Sequence, residues 1–317
     1  MATTKVNADN FARAETDRMF AGIQRDAGGV NRFRHNRAPA PIDEQTVIRL
    51  NRDTLYSFAV VDISAGATLT VPDAGERYLS VMIVNQDHYI NDVFHDVGTY
   101  ELTPARHGSD HVVVAARTLV DPRNPDDLTA VAAVQDQLVL TAGSAEAFVM
   151  PEYEETSFDR TRSALLSLAI DMDSFAGSFG RRDVVDPVHH LVGTAAGWGG
   201  LPDAEATYVG VDPGLPVGEY ELHVPADVPV DGFWSISVYN ADGFFEPNAA
   251  GSYSVNSITA ARNDDGSVTV RFGGDGSPTT NSIPVPAGWN YLVRLYRPRP
   301  EILDGTWQFP AISPTDV

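Results

Sequence analysis

No cysteine occurs among the 317 residues, so the chain can form no disulfide, no thiolate nucleophile and no cysteine-ligated zinc or iron–sulfur centre. Positive charge is scarce as well. Against 43 Asp and Glu stand 22 Lys and Arg, a formal net charge of −21, which solubilises the surface, repels phosphate backbones and anionic lipids, and argues against nucleic-acid and membrane partners. No apolar run approaches the roughly 20 residues that span a bilayer. The opening MATTKVNADN lacks the basic start and apolar stretch of an export signal. That places the chain in the cytoplasm, although a periplasmic or secreted form with its signal removed would read the same. Catalytic signatures are missing too: there is no G-x-S-x-G elbow, no H-E-x-x-H zinc helix and no Walker loop.

What is present reads as two β-rich domains, because 317 residues exceed one ordinary sandwich and domains commonly run about 100–200 residues. Residues 8–25 suggest a helix with Asp9 as its cap. Between Val47 and Val120, β-branched and aromatic runs such as TLYSFAVVDI, RYLSVMIVN and HVVVAARTLV alternate with turn formers, the pattern of a five- or six-stranded sandwich. Asn124-Pro125-Asp126-Asp127 has the composition of a helix start. A second helix is expected from Ser157 to Ser178 on the stripe Leu165, Leu168, Met172, Phe175 and Phe179. Strands return over 206–298 as a jelly roll, with Asp264-Asp265-Gly266 as a hairpin turn between ITAARN and SVTVRF. The expected division is a helix plus sandwich over 1–122, a helical connection over 123–203 and a second sandwich over 204–317.

Several side chains can carry chemistry. Asn51-Arg52-Asp53-Thr54-Leu55-Tyr56 sets an amide, a guanidinium, a carboxylate and a phenol at a strand entrance. It is either a ligand-orienting cluster, with Asp53 as base, Arg52 or Asn51 as anchor and Tyr56 as donor to developing charge, or a network that satisfies loop backbone. His88, in NQDHYIN, sits beside Asp87 just past an apolar strand, where a carboxylate fixes the tautomer and raises the basicity of a general base. A metal site shared with His95 is the lesser alternative. Asp186 and Pro187 start a short helix that turns one of His189 and His190 inward. Trp198 and Tyr239 can line a cleft, whereas Trp234, alternating with Ser235 and Ser237, reads as core. GTAAGWGG, from Gly193 to Gly200, lacks dinucleotide spacing and reads as close backbone packing between domains.

Three stretches are more specific. NRDTLYSFAVVDISAGATLTVPDAGERYLSVMIVNQDHYI resembles the N-terminal module, and VDGFWSISVYNADGFFEPNAAGSYSVNSITA with NYLVRLYRPRPEILDGTWQFP the C-terminal module, of the paired domain-of-unknown-function family 1254 and 1214; VDPVHHLVGTAAGWGGLPD resembles its connecting phrase. The resemblance implies an immunoglobulin-like sandwich, helices and a jelly roll, and brings no reaction with it. Asn51, Asp53, Thr54, Tyr56, His88, His190, Trp198, Trp234, Tyr239, Asn240, Tyr253, Arg294 and Trp307 match its recurrent phrases. The chain departs in showing no signal, and in lacking the cysteine pair that relatives often carry around FGGDGSPTTNSIPV.

The expected function is an enzyme, a hydrolase or lyase, for a small organic substrate in a cleft between the two β domains. His88, Asp53, Tyr56 and His190 are its catalytic candidates, and Asn51, Arg52, Trp198, Tyr239, Asn240 and Arg294 its substrate-binding ones. No metal and no cofactor are called for, and a homodimer is compatible with the sequence. The alternative is a non-catalytic module for a carbohydrate or other small ligand.

Overall fold

The computed structural model describes residues 3–45, 47–274 and 280–314. Part of the cysteine-free stretch singled out above, 275–279, and the first two residues lie outside the described residues. The chain is mainly β and divides into two units. One comprises Met1–Arg37, Leu55–Leu119 and Asp126–Asp203, the other Ala38–Thr54, Val120–Pro125 and Ala204–Val317. No helix among the described residues is long and apolar enough to cross a membrane.

The N-terminal unit contains α1 (Phe11–Ala27), β1 (Arg34–His35), β2 (Thr54–Asp62), β3 (Ala67–Val71), β4 (Leu79–Asn85), β5 (Ile90–Phe94) and β6 (Gly98–Leu102). The one-turn helix α2 (Pro104–His107), β7 (His111–Leu119), α3 (Pro125–Gln135), β8 (Val139–Ala142), α4 (Glu155–Ile170) and α5 (Pro187–Gly197) follow. Its strands form a five-stranded sheet in the order β1-β2-β7-β4-β5 and a three-stranded sheet β6-β3-β8. Alternate residues of the first, Ala59, Val61, Val81, Ile83, Val112 and Val114, share a core with Leu69, Val71 and Leu102 of the second. Each Val, Leu and Ile side chain among them contributes about 1.5–3 kcal/mol when fully buried. A separate cluster, Phe11, Ala14, Phe158, Leu165, Val192 and Ala195, joins α1, α4 and α5.

Three expectations here are corrected. The residue at the N-cap of α1 is Asn10, not Asp9. The helix expected to reach Ser178 stops at Ile170, and Leu168 and Phe175 of its stripe are exposed. DMDSFAGSFG breaks it: the turn uses Gly177 and Gly180 at positive φ, conformations that helices do not accommodate. Phe179 is released from the stripe and packs beneath α5, where Gly193 and Gly200 leave room for it. A Cβ on Gly200 would stand 2.4 Å from Phe179 Cε2, and one on Gly193 2.7 Å from Ser178 Cβ. The glycine cluster's close approach is therefore to residues of its own unit.

The C-terminal unit contains β9 (Ala206–Val211), β10 (Tyr220–Val224), β11 (Trp234–Tyr239), β12 (Ser254–Asn256), β13 (Val268–Phe272), β14 (Ser282–Ile283), β15 (Asn290–Tyr296), α6 (Pro300–Leu303) and β16 (Ser313–Pro314). The sheets β14-β13-β10-β16 and β12-β11-β15-β9 enclose one core of Leu222, Val224, Val270, Phe272, Trp234, Ile236, Val293 and Leu295. Trp234 belongs to this core, as its alternation implies. The expected hairpin before β13 is corrected. The turn exists, with Gly266 at φ +83° and the Asn263 N–H donating to Ser267 O at 2.8 Å. Residues 258–263 form no strand, however, and β13 pairs antiparallel with β10 and parallel with β14.

Candidate functional site

The loop between β4 and β5 is organised by Asn85. Its Oδ1 accepts from the N–H groups of Asp87 and Tyr89 at 3.0 and 2.9 Å, and its Nδ2 donates to His107 O at 2.9 Å. A tight loop of this kind needs a positive φ, which here falls on His88 at +66°, an uncommon conformation for a side chain with a Cβ. His88 is fully buried among Phe179, His190 and Trp198, with the Trp198 ring stacked at 5.3 Å. The Gly199 N–H donates to Nε2 at 2.9 Å, so Nδ1 carries the proton and donates to Thr194 Oγ1 at 2.7 Å. Burial, with the neighbouring His190, pushes this imidazole well below its ordinary pKa. A ring with both nitrogens spent orders the loop; it has no free lone pair with which to take a substrate proton.

His190, on α5, is equally committed: Nδ1 faces Ser178 O at 3.1 Å and Nε2 faces Asp87 O at 3.0 Å. Trp198 Nε1 donates to Thr16 Oγ1 at 3.1 Å. His95 lies apart from this group, with Nδ1 3.0 Å from Leu79 O. Among the described residues no group of three or more His, Asp and Glu side chains is arranged to hold a metal ion. Tyr56 stacks on Phe58 at 5.5 Å, with the Arg117 guanidinium 5.3 Å from its ring.

The other face of the same loop opens on a cleft of about 520 Å³, walled by Asn85, Asp87, Tyr89, Asn91, Asp92, Arg106, His107, Arg181, Arg182 and Asp183. His107 ends α2, whose first turn is capped by Thr103 and whose C-terminus is closed by Gly108 at φ +72°. The ring is fully buried in the cleft wall, and neither nitrogen has a hydrogen-bond partner among the described residues. Asp92 Oδ2 lies 3.8 Å from Nδ1, and Asp92 is itself gripped by both ends of the Arg106 guanidinium, with Nε donating at 2.7 Å. Burial lowers the pKa of His107, with Asp92 opposing the shift and Arg106 adding to it. His107 is not among the candidates that the sequence singles out. The available signal was Thr103-Pro104 followed by Gly108, a cap, a first-turn proline and a stop that make one rigid helical turn presenting a histidine.

In the C-terminal unit, the sheet face opposite the core is polar and buried: Ser235, Ser237, Tyr239, Asn256 and Arg294 all lie on it. Arg294 Nη1 donates to Ser237 Oγ at 2.9 Å, while Nη2 donates to Arg49 O at 2.8 Å and Tyr239 Oη at 2.7 Å. Tyr239 Oη donates to Leu50 O at 2.9 Å. Burial opposes the Arg294 charge, but Tyr239, Tyr296 and Asp53 outweigh it and keep the group protonated. Asp53 is buried, with Ser254 and Asn256 at 3.3 and 3.4 Å from Oδ1 and no hydrogen-bond partner for Oδ2 among the described residues. Asn51 bonds Tyr296 Oη, and Arg52 donates to Ala40 O while lying over Tyr253. Asn240 Oδ1 accepts from Asp242 and Phe244 in a turn. Asp53, Tyr239 and Arg294 interact here, whereas His88, His190 and Trp198 do not belong to this network. Most donors of the network go to main chain and to one another, an arrangement that holds residues 49–53 on the sheet.

Residues 30–103 match the family model described as protein of unknown function DUF1254, and residues 215–300 match protein of unknown function DUF1214. No curated protein matches the chain. Among solved structures, the VPA0106 protein of Vibrio parahaemolyticus is similar over 98% of each chain, with a TM-score of 0.71 and 18% identity. An uncharacterized protein from Burkholderia cenocepacia is similar over 97% of this chain and 89% of its own, with a TM-score of 0.51 and 14% identity. At such identities the likeness shows the fold alone.

Proposed function

We propose that this chain, which carries the paired DUF1254 and DUF1214 modules, acts as a hydrolase or lyase on a small polar organic molecule in the N-terminal cleft, with His107 as its proton-transferring group. One observation carries the reading: a buried imidazole with two unpartnered nitrogens and a carboxylate 3.8 Å away, in the wall of a cleft. A polar group buried without a partner costs about 1–3 kcal/mol, a cost typical of sites where a ligand completes the bonding. Its lowered pKa keeps the ring neutral at pH 7, and therefore able to accept a proton. In a hydrolase that proton comes from water, in a lyase from a carbon next to an electron-withdrawing group; in either case Asp92 offsets the imidazolium charge. His88 and His190 are positioning residues in this reading, because they fix the loop that supplies Asn85, Asp87 and Tyr89 to the wall. Asp53, Tyr239 and Arg294 anchor the segment at 49–53.

Binding without turnover is the second reading. It is favoured by the Arg106–Asp92 and Arg181–Asp183 pairs, which leave little uncompensated charge to stabilise a transition state. A thermal-shift panel of sugars, polyols, hydroxy acids and amino acids, followed by turnover assays on each stabilising compound, separates the two. Turnover that falls by about 100-fold or more in a folded His107→Gln variant supports the enzyme. Stabilisation lost in that variant with no turnover by wild type selects binding. Stabilisation that is the same in both proteins contradicts the site.

A further inference from the structure

Three arginines and three aspartates line the cleft, and their pairing decides what charge remains for a ligand. Arg106 is engaged by Asp92, and Arg181 by Asp183 through Nε and Nη2 at 3.1 and 2.7 Å. Asp87 is engaged by Arg13 at 2.7 Å. Arg182, exposed on the cleft wall, has no ion-pair or hydrogen-bond partner among the described residues. Each asparagine amide is partly used: Asn85 Nδ2 donates to His107 O and Asn91 Nδ2 to Arg106 O, and Asn85 Oδ1 takes two backbone N–H groups. Among the described residues the cleft groups left unspent include one guanidinium, the Tyr89 hydroxyl, Asn91 Oδ1 and the two nitrogens of a neutral imidazole. A neutral imidazole offers a donor on one nitrogen and an acceptor on the other, and a hydroxyl complements either.

Resting on the cleft being a site at all, we infer that it takes a small hydroxyl-bearing monocarboxylate, the carboxylate on Arg182 and a hydroxyl on His107. A phosphate monoester fits poorly. It carries about −1.5 to −2 charges at neutral pH, against one cation free of partners among the described residues and three aspartates nearby.

The test is calorimetric titration of the full chain at low ionic strength, where screening is weakest, with three matched probes: gluconate, its neutral analogue gluconamide, and the dianion glucitol 6-phosphate. Gluconate should bind about fivefold or more tighter than gluconamide, and tighter than the phosphate. Arg182→Gln should abolish the preference for gluconate over gluconamide, while His107→Gln should weaken both. If the two bind wild type equally yet both weaken in His107→Gln, the charge assignment falls and the site stands. If His107→Gln changes neither, the site falls with it. Tighter binding of the phosphate, a preference that survives Arg182→Gln, or no binding of any probe would overturn the inference.

Discussion

His88 and His107 sit on opposite sides of one wall of the N-terminal unit, and both are hidden from solvent. Burial lowers the pKa of each. They differ in their bonds. His88 has a donor on one nitrogen and an acceptor on the other, and rings stacked around it. Among the described residues His107 has no hydrogen bond on either nitrogen, and a carboxylate lies just beyond bonding distance. Burial and a shifted pKa do not by themselves mark a functional histidine; the inventory of its unspent donors and acceptors does.

The largest effect should come from His88→Ala. It removes two hydrogen bonds and the ring against which Phe179 and Trp198 pack, and should destabilise the chain by about 3 kcal/mol or more in denaturant unfolding. Thr194→Val, which leaves the His88 Nδ1–H without an acceptor, should cost about 1–2 kcal/mol in the same measurement. His107→Leu should be close to neutral or stabilising, because it removes a polar group that has no partner; a loss as large as that of His88→Ala would erase the contrast. Smallest in stability is Asp92→Asn, whose partner Arg106 is largely exposed. Its effect lies in titration: with the carboxylate gone, the His107 pKa should fall further, as followed by NMR.

Acid sensitivity follows from the same two rings. Each has a folded pKa below its unfolded value near 6.5, so the unfolded chain binds the proton first and stability declines as pH falls below about 6.5. Asp62 adds a second, lower window. Burial raises its pKa, but the side chains of Ser144 and Ser64 and the N–H groups of Ser64 and Glu146 hold it down to about 2. Its contribution is present above the unfolded value of 3.8 and is lost as pH falls through about 2. Asp62→Asn should remove that second decline and leave the first.

Strand alternation made most of the β-rich fold legible. TLYSFAVVDI, RYLSVMIVN and HVVVAARTLV became adjacent strands of one sheet, because side chains that alternate or run apolar have few other ways to be buried. Asp186-Pro187 marked the start of α5 to the residue. Helix length was less legible: the stripe from Leu165 to Phe179 kept its period through glycines that the backbone uses as turns. The loop NQDHYIN was found, but which of its faces opens on a cleft was not. That depends on the positive φ at His88, which points the most conspicuous side chain inward and leaves its less conspicuous neighbours on the wall. His107 was missed because the closeness of α2 to Asp92 is tertiary, and one helical turn has too few residues to carry a periodic signal.

The most direct test is the ¹⁵N NMR spectrum of the two imidazoles as the most stabilising compound of the panel is titrated in. The His107 nitrogens should shift to saturation while His88 remains an Nδ1–H tautomer with unchanged shifts. Movement of His88, or saturation with His107 unmoved, would contradict the contrast between the two rings.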